Sequence, residues 1–153
     1  MSKVKKRRRG TAIVETERGI LVTAGSNGIF LLPGGGANHG ESRIEAAMRE
    51  LREETGLKPH YAKYLFRYLG GVQKSHGHGY FQDHHTVCLI KADGVPAPHH
   101  EIKYVAYYTQ DSGINISGVT KGIIHKYYAY KKTGKARQKQ VGFMNRALEW
   151  FTK

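Results

Sequence analysis

The sequence predicts an α/β fold, and two observations lead to that prediction. Short β-rich segments separated by turn residues lie on both sides of one central amphipathic helix, and another helical pattern follows near the C-terminus. The apolar and charged fractions, 39% and 24%, are those of a globular protein. The chain has one cysteine, no secretory pattern and no apolar run near the ~20 residues of a membrane span. We therefore expect a cytoplasmic protein with no membrane partner.

The N-terminus is strongly basic. Positions 3–9 read Lys-Val-Lys-Lys-Arg-Arg-Arg, and such a charge run is typical of a solvated arm. Residues 1–10 are therefore predicted to form a flexible tail, followed by one domain covering 11–153. The whole chain carries a formal net charge of +13, which favours polyanionic partners. RNA bound through the basic tail and a phosphorylated small-molecule substrate both satisfy this charge.

The segments before the central helix predict a hairpin and a glycine turn. Residues 11–14 and 19–23 are β-rich around a polar connection, and 29–32 form a short apolar strand that ends at a proline. Gly35 and Gly36 belong to the glycine triplet that follows. Because glycine has no side chain, the backbone there can approach a phosphate closely. Both are candidate phosphate-binding residues.

The central helix is predicted to begin at Glu41-Ser42 and to end near Thr55, with Gly56 as its stop. Residues three and four apart lie on one side of a helix. One side is therefore an apolar stripe, made by Ile44, Ala47, Met48 and Leu51. Another side carries three converging carboxylates, those of Glu50, Glu53 and Glu54. Carboxylate oxygens are hard ligands that suit Mg²⁺ or Mn²⁺; a solvated acidic face is the alternative for the triplet alone.

Downstream, the pattern predicts further elements. They are strands at 61–69, 86–92 and 104–109, a polar histidine-rich loop at 73–85, and helices after Ser117 and at 141–151. Gly70-Gly71 is expected to end the first of these strands. No internal repeat is visible.

The stretch from Gly35 to Leu57, GGANHGESRIEAAMRELREETGL, resembles the Nudix box of the MutT-like Nudix hydrolases at every fixed position of that signature. The resemblance implies a Nudix-type α/β/α sandwich with a mixed β-sheet. It also implies an enzyme that cleaves the pyrophosphate bond of a nucleoside diphosphate linked to another moiety. In that family, water attacks phosphorus with the help of Mg²⁺, or of Mn²⁺ as the alternative.

The same resemblance implies roles for individual residues. Glu50 and Glu54 are expected to hold the metal, and Glu53 to act as the catalytic base and as a further ligand. Arg49 is expected to orient carboxylates, including that of Glu41, rather than to touch substrate. Glu101 matches by position an acidic residue on a late loop that assists the metal or acts as base in some family members; a plain surface glutamate is the alternative.

The substrate is left open by the sequence. The absence of proline between Pro59 and Pro96 speaks against the ADP-ribose branch. The glycine triplet and the positive charge are similar to branches that take diadenosine or inositol polyphosphates, and a MutT-type nucleoside triphosphate is equally compatible. The competing class is an RNA-binding or decapping Nudix protein. All three box glutamates are present, which favours an enzyme, and the sequence gives no oligomeric state.

Overall fold

The computed structural model describes residues 3–134. Contacts divide the chain into two compact units, Met1–Thr120 and Lys121–Lys153. The elements of the first unit are β1 (Val4–Ile13), β2 (Glu15–Thr16), β3 (Gly19–Ala24), β4 (Phe30–Leu31), β5 (Gly34–Gly36), α1 (Arg43–Thr55), β6 (Lys58–Lys74), β7 (Tyr80–Asp93) and β8 (Tyr104–Tyr108). Residues 118–134 are also helical. The helix predicted at 141–151 lies outside the described residues.

The strands of the first unit form two sheets. The larger sheet has the order β5-β1-β7-β6, in which β1 runs parallel to β7 while the other neighbours are antiparallel. In the smaller sheet, β3 pairs with β2, β4 and β8, all antiparallel. The predicted α/β fold with a mixed sheet is therefore confirmed. None of the described helices is both long enough and apolar enough to span a membrane.

Helix α1 has the limits and the apolar face that the sequence predicts. The Ser42 hydroxyl caps its start by accepting a hydrogen bond from the Glu45 amide at 3.1 Å. Gly56 ends it in the left-handed conformation, at φ 76°. All four residues of the predicted stripe belong to the core, Ala47 and Leu51 fully buried and Ile44 and Met48 packed against them. The helix is thus held by one side against the larger sheet.

Strand β1 passes directly under the start of α1. A Cβ at Gly10 would overlap the carbonyl oxygen of Arg43 and lie 2.6 Å from the amide nitrogen of Ala47. Only glycine allows the helix to lie this close to the strand. Since β1 also pairs with β5, this contact fixes the position of α1 relative to the glycine strand beside it.

The predicted flexible tail is wrong for residues 4–10, because they belong to β1. The strand pairs with β7 from Val4 opposite Tyr80 to Ile13 opposite Leu89. Its charges are tolerated because the side chains of residues 4–8 are exposed. In addition, Arg7 forms two hydrogen bonds with the Asp83 carboxylate, at 2.6 and 3.0 Å. A charge run can therefore be a strand when its side chains remain in water and its backbone finds a partner.

Three other local predictions need correction. The hairpin joins β2 to β3 through a two-residue turn, whereas β1 pairs with other strands. Gly70-Gly71 does not end a strand; it lies in a register irregularity between Leu69 and Val72, inside the continuous β6. The histidine-rich loop is reduced to residues 75–79, because β6 continues to Lys74 and β7 begins at Tyr80. Cross-strand pairing overrides the local glycine and polar signals in both strands.

Candidate active site

Arg49 lies at the centre of the candidate site, on the second turn of α1. Its Nε and Nη2 donate to the two oxygens of Glu41 at 2.8 and 3.0 Å, and Nη2 also donates to the Gly36 carbonyl at 3.1 Å. Its Nη1 donates to Glu50 Oε1 at 3.0 Å and to Glu53 Oε2 at 3.2 Å. One guanidinium thus connects the helix, the loop before it and the end of β5.

The Glu41 carboxylate fixes the loop that leads into α1. It accepts the amide of Asn38 at 3.0 Å in addition to the two bonds from Arg49. The hydrogen bonds from Arg49, followed by that from Asn38, lower the pKa of Glu41. A carboxylate held in its ionised form by a fork of donors is a rigid structural contact.

Strand β5 leaves room for the Glu50 carboxylate because it is made of glycine. A Cβ at Gly35 would lie 2.6 Å from Glu50 Oε1 and 2.7 Å from its carboxyl carbon. At Gly36 the same atom would meet nothing within 4 Å. The two glycines therefore differ: Gly35 makes space for an acidic side chain, and Gly36 presents open backbone.

Glu54 is the buried acid of the site, with only 6% of its surface exposed. Burial, followed by the neighbouring carboxylates of Glu50 and Glu101, raises the pKa of Glu54 to about 8, against the opposing effect of a backbone hydrogen bond from Gly34. Glu50 and Glu54 are one turn apart on α1, and their side chains are hydrogen-bonded to each other. A buried carboxyl group with this pKa, next to a second carboxylate, is a position that a cation would stabilise.

Glu53 does not join that pair. Its side chain is 48% exposed and turned toward Arg49. Among residues 3–134, no three acidic, histidine or cysteine side chains are grouped as a metal site, so the predicted convergence of all three glutamates is not found. The reason is the ion pair that Glu53 forms with Arg49, four residues before it, while Glu54 points about 100° away from Glu53 and pairs with Glu50.

Glu101 lies beside the helical acids although it is far from them in sequence. It is an exposed residue that lines a cavity of about 550 Å³ together with Glu54 and Gly34. Backbone pairing holds this segment in place, because the Lys103 amide donates to the Ala24 carbonyl at 2.8 Å. The carboxylate predicted from its position on a late loop thus faces the same cavity as the buried acid.

Arg9 is a candidate residue that sequence reasoning missed, because it was assigned to the tail. It lines the cavity that Glu54 and Glu101 also line. Opposite it on β7, His85 accepts or donates a 2.8 Å hydrogen bond with Thr11. Burial, and next the charge of Arg9, lower the pKa of His85 to about 4. Arg9 therefore places a positive charge at the edge of an acidic cavity, beside a neutral imidazole.

These residues fit a divalent cation such as Mg²⁺. Magnesium is commonly held by one or two carboxylates, with waters and substrate phosphates completing its shell. Glu50 and Glu54 supply two hard oxygen donors side by side, and the raised pKa of Glu54 reflects its burial first and the nearby Glu50 carboxylate second. A protein cation close to them, Arg49, is shared among Glu41, Glu50 and Glu53.

Fold and site define a member of the Nudix hydrolase family. The family model for the NUDIX domain matches residues 5–150, and the chain therefore belongs to this family. The predicted MutT-like Nudix membership is confirmed, and with it the class of hydrolase. Enzymes of the family generally use divalent metal ions.

Comparisons with known proteins agree with this assignment. A nudix hydrolase family member from Chromobacterium violaceum superimposes with a TM-score of 0.70 at 32% identity, covering 97% of this chain and 98% of that one. A MutT NUDIX hydrolase from Burkholderia pseudomallei has a TM-score of 0.65 at 21% identity, over 76% and 94% of the two chains, which supports the fold alone. An ADP-ribose pyrophosphatase of Methanocaldococcus jannaschii is 39% identical over 70 residues, which are 43% of this chain and 41% of that relative.

Proposed function

We propose that this protein is a Mg²⁺-dependent pyrophosphohydrolase that cleaves the pyrophosphate bond of a nucleoside diphosphate linked to another moiety. The observation that carries the proposal is the pair formed by Glu50 and the buried Glu54. Glu54 lines a cavity whose wall also includes Glu101 and Arg9. Two neighbouring carboxylates close to a guanidinium group suit a substrate that binds as a complex of phosphate with a metal ion. Mn²⁺ is the alternative metal.

Glu50 and Glu54 are the proposed metal-binding residues, with Glu53 as a further ligand after a change of side-chain rotamer. When bound, the metal supplies neutralisation of phosphate charge and polarisation of the attacked phosphorus. Arg49 is a positioning residue: its bonds to Glu41 and Gly36 fix the guanidinium, which in turn holds Glu50 and Glu53. Glu101 is proposed to assist at the open side of the cavity.

Glu53 is the proposed general base. Its half-exposed carboxylate is able to reach a water molecule, whereas Glu54 is buried and paired with Glu50. The step transfers a proton from the attacking water to the Glu53 carboxylate while the water oxygen bonds to phosphorus and the second phosphate leaves. Arg49, 3.2 Å away, orients this carboxylate before the transfer.

The chain's other contacts with substrate are proposed to be made by backbone and by one arginine. Gly36 presents unhindered backbone at the end of β5. The absence of a side chain at Gly35 leaves space for the Glu50 carboxylate. Arg9, at the cavity wall, binds a phosphate oxygen. Together these contacts hold the pyrophosphate in line for attack.

The test is the substitution Glu53→Gln, which keeps the shape of the side chain but removes the base. We expect kcat to fall by about 10²–10⁴-fold, with an unchanged thermal unfolding midpoint, because the Glu53 side chain is half exposed and its hydrogen bond is to Arg49. The matched control is Glu45→Gln, another glutamate of α1, which should keep wild-type turnover. Near-full Mg²⁺-dependent activity in the Glu53 variant would remove it from the catalytic role.

The substrate class is tested by a phosphate-release screen at fixed Mg²⁺. The panel contains nucleoside triphosphates, nucleotide sugars, dinucleotide polyphosphates and inositol pyrophosphates, and also ADP-ribose because of the name of the archaeal relative. A nucleoside diphosphate derivative should have the highest kcat/KM. Preference for an inositol pyrophosphate would contradict the proposal and support the alternative of a hydrolase for non-nucleotide polyphosphates.

A further inference from the structure

Beyond the N-terminal end of α1, the larger sheet carries a cluster of cations that the proposed reaction does not use. We define this basic face by Lys6, Arg8, Arg43, Arg67 and His84. Strand register puts the sheet residues on one side: Arg8 is opposite His84, His84 is opposite Leu69, and Arg67 is opposite Thr86. Arg43 joins them from the helix, since it lies over Gly10, two residues from Arg8 on the same side of β1.

Lys6 and His84 on this face are both close to several positive charges. Desolvation, followed by the charges of Arg8, Arg67 and Arg43, lowers the pKa of Lys6. Desolvation and the same cluster, led by Lys6, lower the pKa of His84. The nearest acid on β7, Asp83, points to the other side of the sheet, where it pairs with Arg7. Cations crowded in this way attract a polyanion strongly.

The same side of the sheet continues into exposed apolar and aromatic groups. Leu69, Val72 and Tyr80 are 55%, 56% and 44% exposed. Tyr80 is opposite Lys74 and Val72 is opposite Gln82, so they share the side of His84. From Tyr80 to Thr86 the face extends about 20 Å along the strand, which is longer than a single pyrophosphate. Among the described residues, His84 Nδ1 is a buried polar atom without a hydrogen-bond partner in the protein.

We propose that the basic face binds single-stranded nucleic acid. The phosphates lie against Lys6, Arg8, Arg43 and Arg67, and a base stacks on Tyr80 at the far end. Charge complementarity favours a polyanion. The length of the face and the adjacent Tyr80 ring favour a polynucleotide rather than a small phosphate compound. This binding is separate from hydrolysis, because none of these residues lines the cavity that Glu54 and Glu101 share.

The experiment measures binding of a fluorescent ten-residue uridine oligonucleotide to the whole chain in EDTA, so that hydrolysis plays no part. The test variant is Lys6→Gln/Arg8→Gln. The control is Lys5→Gln/Lys63→Gln, which removes the same charge from exposed residues on the opposite side of the sheet. Affinity should fall about tenfold in the test variant, and the slope of log affinity against log salt should decrease by about 1.4, for two lost phosphate contacts. The control should stay within about twofold of the wild type.

A second variant tests stacking independently of charge. Tyr80→Ser should weaken oligonucleotide binding at least about fivefold and leave the salt slope unchanged, because stacking does not release counterions. Thermal unfolding confirms that each variant is folded. Turnover of the small substrate by Lys6→Gln/Arg8→Gln should equal that of the wild type, which separates this proposal from the catalytic one.

Three results would overturn the inference. Equal weakening by the test and control double variants would show that binding follows net charge alone. Competition by tripolyphosphate or by a ten-residue polyglutamate as effective as that by unlabelled oligonucleotide would assign the face to small phosphates or to acidic peptides. A loss of small-substrate turnover in Lys6→Gln/Arg8→Gln would make the face part of the active site instead.

Discussion

Single side chains decide the chemistry of the site, and the most connected one is Arg49. Its guanidinium donates to three carboxylates and to a backbone carbonyl. The sequence predicted that Arg49 orients carboxylates, because Glu50 and Glu53 lie within one turn of it on the same helix. Such short-range geometry follows from helical spacing alone.

Replacing Arg49 by lysine should damage both turnover and stability. A lysine ammonium keeps the charge but lacks the planar fork that reaches Glu41, Glu50 and Gly36 at the same time. We expect kcat/KM to fall at least about tenfold, and the free energy of unfolding to fall by about 1–3 kcal/mol. Steady-state kinetics and urea denaturation measure these effects. Arg52→Lys on the exposed side of α1 is the control; equal losses in both variants would contradict the role of Arg49.

His85 makes a pH-dependent contribution to stability. Burial and the nearby Arg9 lower its folded-state pKa to about 4, below the ordinary value near 6.5. The folded protein therefore binds fewer protons, so this contribution is complete above about pH 6.5 and is lost as the pH falls toward 4. His85→Gln retains a hydrogen-bonding group for Thr11. As the pH falls over this interval, its unfolding free energy should decrease by about 1–2 kcal/mol less than that of the wild type, with the partial exposure of His85 allowed for.

The measurement is urea denaturation of both proteins at pH 7, 5.5 and 4. The carboxylates titrate in both proteins, so their contributions to the unfolding free energy cancel in the difference. A difference in unfolding free energy between wild type and variant that stays constant with pH would show that His85 is not held neutral.

Other residues of the site were beyond sequence reasoning for a physical reason. Arg9 ends a run in which residues 5–9 are all basic, so no alternation distinguishes the side of β1 that faces the cavity. Glu101 was found only through its position on a late loop. Its placement beside Glu54 depends on the pairing of β8 with β3, which is a tertiary contact and leaves no local signal.

Among the elements, α1 was predicted almost to the residue while the strands were not. Ser42 is a local start signal and Gly56 a local stop signal, and both act through hydrogen bonds within a few residues. The length of β6 and β7, in contrast, follows from their pairing with each other, which carries β6 through Gly70-Gly71. Pairing between distant segments is what a single sequence reports least well.

Gly10→Ala tests the contact between α1 and β1. The added methyl group would overlap the Arg43 carbonyl and push the helix away from the strand. We expect a loss of about 3 kcal/mol or more in unfolding free energy, with reduced turnover because the glutamates of α1 move with it. Differential scanning calorimetry gives the loss. Gly36→Ala, a methyl added in the neighbouring strand with nothing within 4 Å, should leave the unfolding temperature nearly unchanged; a similar drop there would refute the packing argument.

For the molecule as a whole, the metal should act as a stabilising ligand. Mg²⁺ that binds the folded form at a hundredfold excess over its Kd adds about 2.7 kcal/mol to the unfolding free energy. Glu54→Gln removes a buried donor and should show a much smaller rise in Tm on addition of Mg²⁺. Thermal shift with Mg²⁺, against NaCl of equal ionic strength, measures this without any turnover. Equal rises in wild type and Glu54→Gln would argue against a site at Glu54.

The parallel pairing of β1 with β7 also determines how early during synthesis the larger sheet can form. Arg7 and its partner Asp83 are separated by 76 residues, and β1 lies between β5 and β7 in the sheet. During synthesis at about 5–20 residues per second, the first strand waits roughly 4–15 s for its neighbour. Throughout that interval residues 4–8 of β1 have no partner strand, because β5 pairs with residues 9–11 and the rest of the basic run waits for β7. Because β1 is synthesised before both β5 and β7, the order of translation makes the larger sheet a late product of folding.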